Sequence, residues 1–169
     1  PTGHSAISLE IVDGGSMSNV DIADITITGT ESPIFIRLAD RRRPYAENAP
    51  IDKVGSISGI RLHDILIDGA GPTGCSITGI EGHPVTDVQI SDVTMRHAGG
   101  QLVTAAPADE KIAEYPEATM WGILPAKGFW LNHTRNVTFR NVNVITDAPD
   151  ERPLFVATDS PALVTDNCE

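Results

Sequence analysis

Polar and apolar residues alternate along Asn19-Val-Asp-Ile-Ala-Asp-Ile-Thr-Ile27, but the alternation changes phase midway. The same pattern returns in Gly59-Ile-Arg-Leu-His-Asp-Ile-Leu-Ile67, Asp87-Val-Gln-Ile-Ser-Asp-Val-Thr-Met95 and Asn136-Val-Thr-Phe-Arg-Asn-Val-Asn-Val144. Each copy opens on a small polar residue or Gly, followed by aliphatic, any, apolar, any, Asp or Asn, aliphatic, any, apolar. Four such copies define an internal repeat, which constrains the fold before any other feature does.

Val20 and Ile22 share one parity, and Ile25 and Ile27 share the other. Side chains alternate strictly along a straight strand, so one strand cannot bury both pairs on one face. The phase changes at Asp24, Asp64, Asp92 and Asn141, and Asp and Asn tolerate left-handed backbone angles. Each copy therefore predicts strand, corner, strand. A further apolar run follows every copy, at 33–39, 75–80, 128–133 and 153–158, and 6–12 supplies one before the first. Three short strands per repeat, stacked on their neighbours about 4.8 Å apart, make a parallel β-helix with interior aliphatic ladders. The second and third copies start closest together, so the longer separations hold loops inserted at corners. A left-handed hexapeptide solenoid needs a strict short period, and a doubly wound sheet needs several amphipathic helices; neither is present.

The first loop, 40–55, is rich in Arg, Pro and polar residues. The second, 99–127, carries Tyr115, Met120, Trp121 and Leu124, whose apolar area argues for an ordered and functional loop. Its segment 108–114 predicts one or two helical turns, and 160–169 reads as a weaker last strand and tail. Ile7, Leu9 and Ile11 leave an exposed parallel edge, which predicts preceding coils or a partner chain covering it.

Length bounds the chain at one domain of 169 residues, and 40% hydrophobic content suffices for a core. The net charge of −11 excludes bulk attraction to nucleic acid or anionic membrane. Two cysteines give neither a disulfide framework nor a paired zinc motif. No apolar run approaches a membrane span of about 20 residues. The sequons at Asn132 and Asn136 read as turn asparagines, and no metal or cofactor motif occurs.

Against this acidic background, Arg37, Arg41, Arg42 and Arg43 are concentrated at one strand end. Guanidinium forks pair bidentately with carboxylates, which makes Arg37 and Arg41 candidates for binding an acidic ligand. Glu10 and Asp13 flank a Gly pair as possible paired carboxylates of a glycosidase. His4 and His133 are candidate polar groups, and Tyr115 and Trp121 are candidate platforms for sugar rings. His83 reads as a turn residue.

The motifs Leu9-Glu-Ile-Val-Asp-Gly-Gly15, Pro33-Ile-Phe-Ile-Arg-Leu-Ala-Asp-Arg41, Ile80-Glu-Gly-His-Pro84, Tyr115-Pro-Glu117, Met120-Trp-Gly-Ile-Leu-Pro-Ala126 and Arg152-Pro153 together resemble glycoside hydrolase family 28, the polygalacturonase and rhamnogalacturonase family. The resemblance spans nearly the whole chain. It implies a right-handed single-stranded parallel β-helix, secreted or periplasmic in a bacterium, that hydrolyses pectic polysaccharide or oligogalacturonide with inversion and without a cofactor. Inversion uses two carboxyl groups about 6.5–9.5 Å apart. The family's Asn-Thr-Asp and Asp-Asp motifs are absent here, and Gly3-His4-Ser5 matches its Gly-His-Gly motif in part. The expectation is that residues 1–169 form one domain, the C-terminal part of a longer β-helix. His4, Glu10 and Asp13 are then the catalytic candidates, and Arg37, Arg41, Tyr115, Trp121 and His133 the substrate-binding ones. A non-catalytic β-helix module for polysaccharide binding or assembly is the alternative. A lyase using Ca²⁺ and an Arg or Lys base is a third option, disfavoured by the lack of clustered Asp ligands.

Overall fold

The computed structural model describes residues 3–169, and every regular element in it is a strand. Strands β1 (Gly3–Ile11), β3 (Thr30–Leu38), β5 (Cys75–Thr78), β7 (Phe129–Asn132) and β9 (Phe155–Thr158) stack in that order in sheet A. Strands β2 (Ser16–Thr28), β4 (Ser56–Ala70), β6 (Val85–Gly99), β8 (Thr134–Ala148) and β10 (Leu163–Cys168) stack likewise in sheet B. All pairings between these strands are parallel. The chain alternates between the sheets, so the hydrogen-bonded neighbour of each strand lies one repeat away.

The register explains the phase change. Val20, Ile60, Val88, Val137 and Leu163 form one rung, and Ile25, Ile65, Val93, Val142 and Cys168 form another. Between these rungs, Asp24, Asp64, Asp92 and Asn141 have φ of 57°, 55°, 55° and 53°. One left-handed residue turns the following segment over, and both apolar pairs reach the same core. The hydrogen-bond ladder continues through the corner. Each copy is thus a single bent strand, and a repeat has two strands where the sequence predicts three.

Two features escape the sequence pattern. The first position of each copy is also left-handed: Asn19, Gly59, Asp87 and Asn136 have φ of 56°, 65°, 57° and 55°. In addition, β10 is a fifth copy. Ala162 and Asn167, at φ 60° and 52°, occupy its two corner positions. The corner side chains also bond along the stack: Asn141 Nδ2 donates to Asp92 Oδ1 at 2.8 Å, and Asn167 Nδ2 to Asn141 Oδ1 at 2.8 Å.

The core fills the space between the sheets with aliphatic side chains, and Phe129, Phe139 and Phe155 cluster toward its β9–β10 end. At the other end, Leu9, Ile11, Val20, Ile22 and Ile25 are only partly buried. Their rung partners Ile36, Leu38, Ile60, Leu62 and Ile65 are each 2% exposed or less. The edge expected at Ile7, Leu9 and Ile11 is therefore present at Leu9 and Ile11 and includes β2, whereas Ile7 is buried.

Segment 100–128 crosses the outer face of sheet A. Leu124 and Ala126 pack with Trp130 in a second apolar cluster against which Trp121 and Val156 rest. The helical turns expected at 108–114 do not form. Lys111 is left-handed at φ 51°, and one bond, Glu114 N to Lys111 O at 3.2 Å, marks a turn. Seven residues are too few to nucleate a helix without help from packing.

Candidate functional site

Outward-facing residues of sheet A form rows across its strands. One row runs Ser8, Phe35, Ser76, Trp130, Val156, and the next runs Glu10, Arg37, Thr78, Asn132, Thr158. The ladder extends past the strand ends: Arg41 N donates to Val12 O at 2.8 Å, and His133 N to Thr158 O at 3.2 Å. This lines up Asp13, Arg41, His133 and Asp159 along one edge, where segment 100–128 meets them.

At the β1–β3 end, Arg41 Nε donates to Asp13 Oδ1 at 3.0 Å and its Nη2 pairs with Asp13 Oδ2. Arg43 N adds a bond to Asp13 Oδ1 at 2.7 Å. The Arg41 hydrogen bond outweighs burial and holds the Asp13 carboxyl below its usual range. Asp13 therefore stays ionised near neutral pH, with both oxygens engaged; that suits positioning of a guanidinium and is the opposite of what a general acid needs. The Arg41 guanidinium lies 5.2 Å from the centroid of Tyr115, which is 66% exposed. Glu10 adds its negative charge near Arg41, and its Oε1 accepts from Ser8 Oγ at 2.5 Å. His4 Nδ1 meets Thr119 Oγ1 of the crossing segment at 3.0 Å.

Arg37 is placed differently from Arg41. It is 1% exposed, and its donors are taken by Glu110 O at 2.6 Å, Thr78 Oγ1 at 3.2 Å and Gly79 O at 3.4 Å. Its guanidinium sits 5.0 Å from the Trp121 ring centroid. Burial pulls its pKa down to about 10, against the charge of Glu110, so it remains a cation at neutral pH. Trp121 packs edge-on against Trp130 at 4.9 Å, and its Nε1 donates to Asp109 O at 3.0 Å. Arg37 and Trp121 thus tie segment 100–128 to the sheet, while Arg41 and Tyr115 remain at the surface.

His133 holds the other end of the edge. Its Nε2 lies 2.6 Å from Glu110 Oε1 and its Nδ1 2.6 Å from Asp159 Oδ2. Glu110 Oε1 also accepts from Asn132 Nδ2 at 3.0 Å, which buries one sequon asparagine in a hydrogen bond. His133 and Asp159 follow β7 and β9 at equivalent places, both left-handed at φ 49° and 42°. Burial acts to lower the His133 pKa, but the hydrogen bonds and charges of Asp159 and Glu110 prevail and raise it. The stabilisation from a charged His133 is complete below its unfolded pKa, which the ordinary value of 6.5 approximates, and is lost as pH rises through the raised folded pKa. The expected result is a urea midpoint that falls across that window more in the wild type than in His133→Gln. Equal falls would show that other groups carry the effect.

Glu110 and Asp159 are the functional-site residues that sequence reading omits. Glu110 lies in an irregular segment, and the pairing of Asp159 with His133 depends on the β7–β9 register. Among the described residues, no group of three or more His, Cys, Asp or Glu is arranged to hold a metal ion. Among the described residues, no helix is long and apolar enough to cross a membrane. No family model matches the chain, and no curated protein or solved structure matches it either, so the family resemblance rests on the motifs alone.

Proposed function

We propose that the two sheets are successive coils of a right-handed parallel β-helix, and that the edge from Asp13 to Asp159 is part of a cleft for galacturonate-containing pectic polysaccharide outside the cell. The supporting observation is the exposed Tyr115 ring beside an Arg41 that Asp13 holds in place. An aromatic face offers a sugar ring a stacking surface, and a positioned guanidinium offers its carboxylate a charge-assisted hydrogen bond. In this reading the chain supplies substrate contacts for an inverting glycosidase, with Glu10 and His4 bordering the cleft. Further parallel strands, from preceding coils or a partner chain, cover the β1 and β2 edges and bring the acids that the motifs here lack. Arg37 and His133 act through segment 100–128, which they anchor.

A non-catalytic module for polysaccharide binding is the second reading, favoured by the engagement of both Asp13 oxygens with Arg41 and the Arg43 backbone. Turnover in a reducing-sugar assay on the chain would refute the non-catalytic reading. The binding site itself is tested by calorimetric titration of galacturonate oligomers. Arg41→Gln and Tyr115→Ala are each expected to weaken binding about tenfold or more; wild-type affinity in both variants would overturn the assignment.

A further inference from the structure

His133 is gripped from both sides. Its Nδ1 lies 2.6 Å from Asp159 Oδ2 and its Nε2 lies 2.6 Å from Glu110 Oε1. Both contacts are hydrogen bonds only when both ring nitrogens carry a proton, as in the imidazolium. The neutral ring has one N–H for two carboxylates, so its bare nitrogen faces an oxygen that repels it. The side chain of Asp159 is 64% exposed and that of Glu110 26%. Asp159 therefore turns to water at little cost, and the neutral ring keeps its N–H for Glu110. That bond has lost the charge on its donor, and with it the strength of an ion pair.

No other charged group near His133 replaces this one. His133 O accepts from Val85 N at 3.1 Å, which seats it against the turn after β5, where Glu81 and His83 are both exposed. Arg135 is exposed on its own strand. Arg37, the buried cation on β3, holds the Glu110 carbonyl and not its carboxylate. The stretch 108–115 has further ties to the fold: Arg37 to Glu110 O, Trp121 Nε1 to Asp109 O, Asp40 N to Ile112 O at 3.1 Å, and the Arg41–Tyr115 contact. The imidazole is the member of this set that changes charge near neutral pH.

We propose that His133 is a pH-operated latch on 108–115: doubly protonated, it clamps Glu110 and Asp159 together, and loss of one proton lets the stretch, with Tyr115, open more often. Burial opposes the charged ring, but the hydrogen bonds and charges of the two carboxylates raise its pKa. The hold is therefore complete below the ordinary value of 6.5 and is lost as pH rises through the raised folded value. In the carbohydrate reading, the latch controls how often Tyr115 stands beside Arg41. The latch itself does not need that reading, because opening is measured without a ligand.

The test is native-state hydrogen exchange on the intact chain. The reporters are the amides of Asp40 and Glu114, which bond Ile112 O and Lys111 O, and that of Lys111, which bonds Asp109 Oδ1 at 2.9 Å. After correction for the intrinsic rate at each pH, their opening constants are expected to rise about fivefold between about pH 6 and about pH 9. Low concentrations of urea should leave them unchanged, as for any local opening. His133→Gln offers Glu110 an uncharged donor at every pH and should show a flat profile. Asp159→Asn keeps the imidazole but removes one carboxylate, so the rise should move to lower pH; it serves as the test if His133→Gln fails to fold. A flat profile in the wild type overturns the proposal, as does an equal rise in His133→Gln. A urea dependence equal to that of the β6 amides also overturns it, since the stretch would then open only with the whole fold. Galacturonate oligomers take no part in these measurements, so the carbohydrate reading and the latch can fail separately.

Discussion

Arg152→Ala is expected to lower the unfolding free energy by about 3–5 kcal/mol, as removal of one member of a buried ion pair does elsewhere. Arg152 and Asp150 are both fully buried in their side chains and lie 2.8 Å apart. The remaining Arg152 donors reach Thr73 O at 3.2 Å, Leu124 O at 3.0 Å and Pro72 O at 2.8 Å. One guanidinium thus satisfies carbonyls from the turn before β5 and from the segment crossing sheet A. Truncation would leave Pro72 O and Asp150 Oδ2 without a partner and the buried Asp150 carboxylate without its counter-charge, while Thr73 O keeps its bond from Leu124 N at 3.1 Å. The dependence on pH gives the mechanism a second check. Burial alone would raise the Asp150 carboxyl, but hydrogen bonds and charge from Arg152 hold it below its usual range. That contribution is present above the unfolded Asp pKa and is lost as pH falls through the lowered folded value. In the variant, Asp150 can take up a proton and relieve its unpaired charge, so the deficit should shrink in acid. Urea titrations at neutral and acidic pH measure both effects. A neutral-pH loss below about 1 kcal/mol would show that the pair contributes no more than an exposed one.

The second large effect lies in the core. Phe139→Ala is expected to cost about 3–5 kcal/mol, the usual range for deleting a buried aromatic ring. Phe139 is fully buried, with its centroid 4.8 Å from Phe129 and 4.6 Å from Phe155. It shares a rung with Ile90 and Thr165, and its ring occupies core volume between the sheets. Phe139→Leu keeps most of that volume and should cost much less. Chemical denaturation of the two variants gives the comparison; equal losses would mean that ring contacts matter and filled volume does not.

The corner positions show what local sequence can carry. Asp24, Asp64, Asp92 and Asn141 are legible because a change of parity and a residue type tolerant of left-handed φ coincide there. Asn19, Gly59, Asp87 and Asn136 have equally permissive types, but their parity change falls at a copy boundary, outside the repeated pattern. The fifth copy is hidden because Thr165 and Cys168 stand at positions that Phe139 and Val142 fill one repeat earlier. At 108–114, Ala, Glu and Lys favour a helix, but Glu110 bonds Asn132 and His133 while its carbonyl takes Arg37. Tertiary contacts outweigh propensity in so short a segment. The site divides along the same line. Arg41 and Tyr115 stay at the surface, where their chemistry can be read from residue type. Arg37 is outward by parity but lies beneath a segment more than 70 residues away, a contact that no local pattern encodes.

Because each strand pairs only with its counterpart one repeat away, the chain has an arithmetic of its own length. A duplicated unit inserted between two copies would find its strand register already specified by its neighbours, and it would part only the few contacts that reach across more than one repeat, such as Arg152 to Pro72 O. The segments 39–55 and 100–128 show the complementary freedom, since both lengthen a connection without shifting a rung. Such a molecule can evolve its surface by lengthening loops and its extent by copying units, two changes that natural selection can make separately.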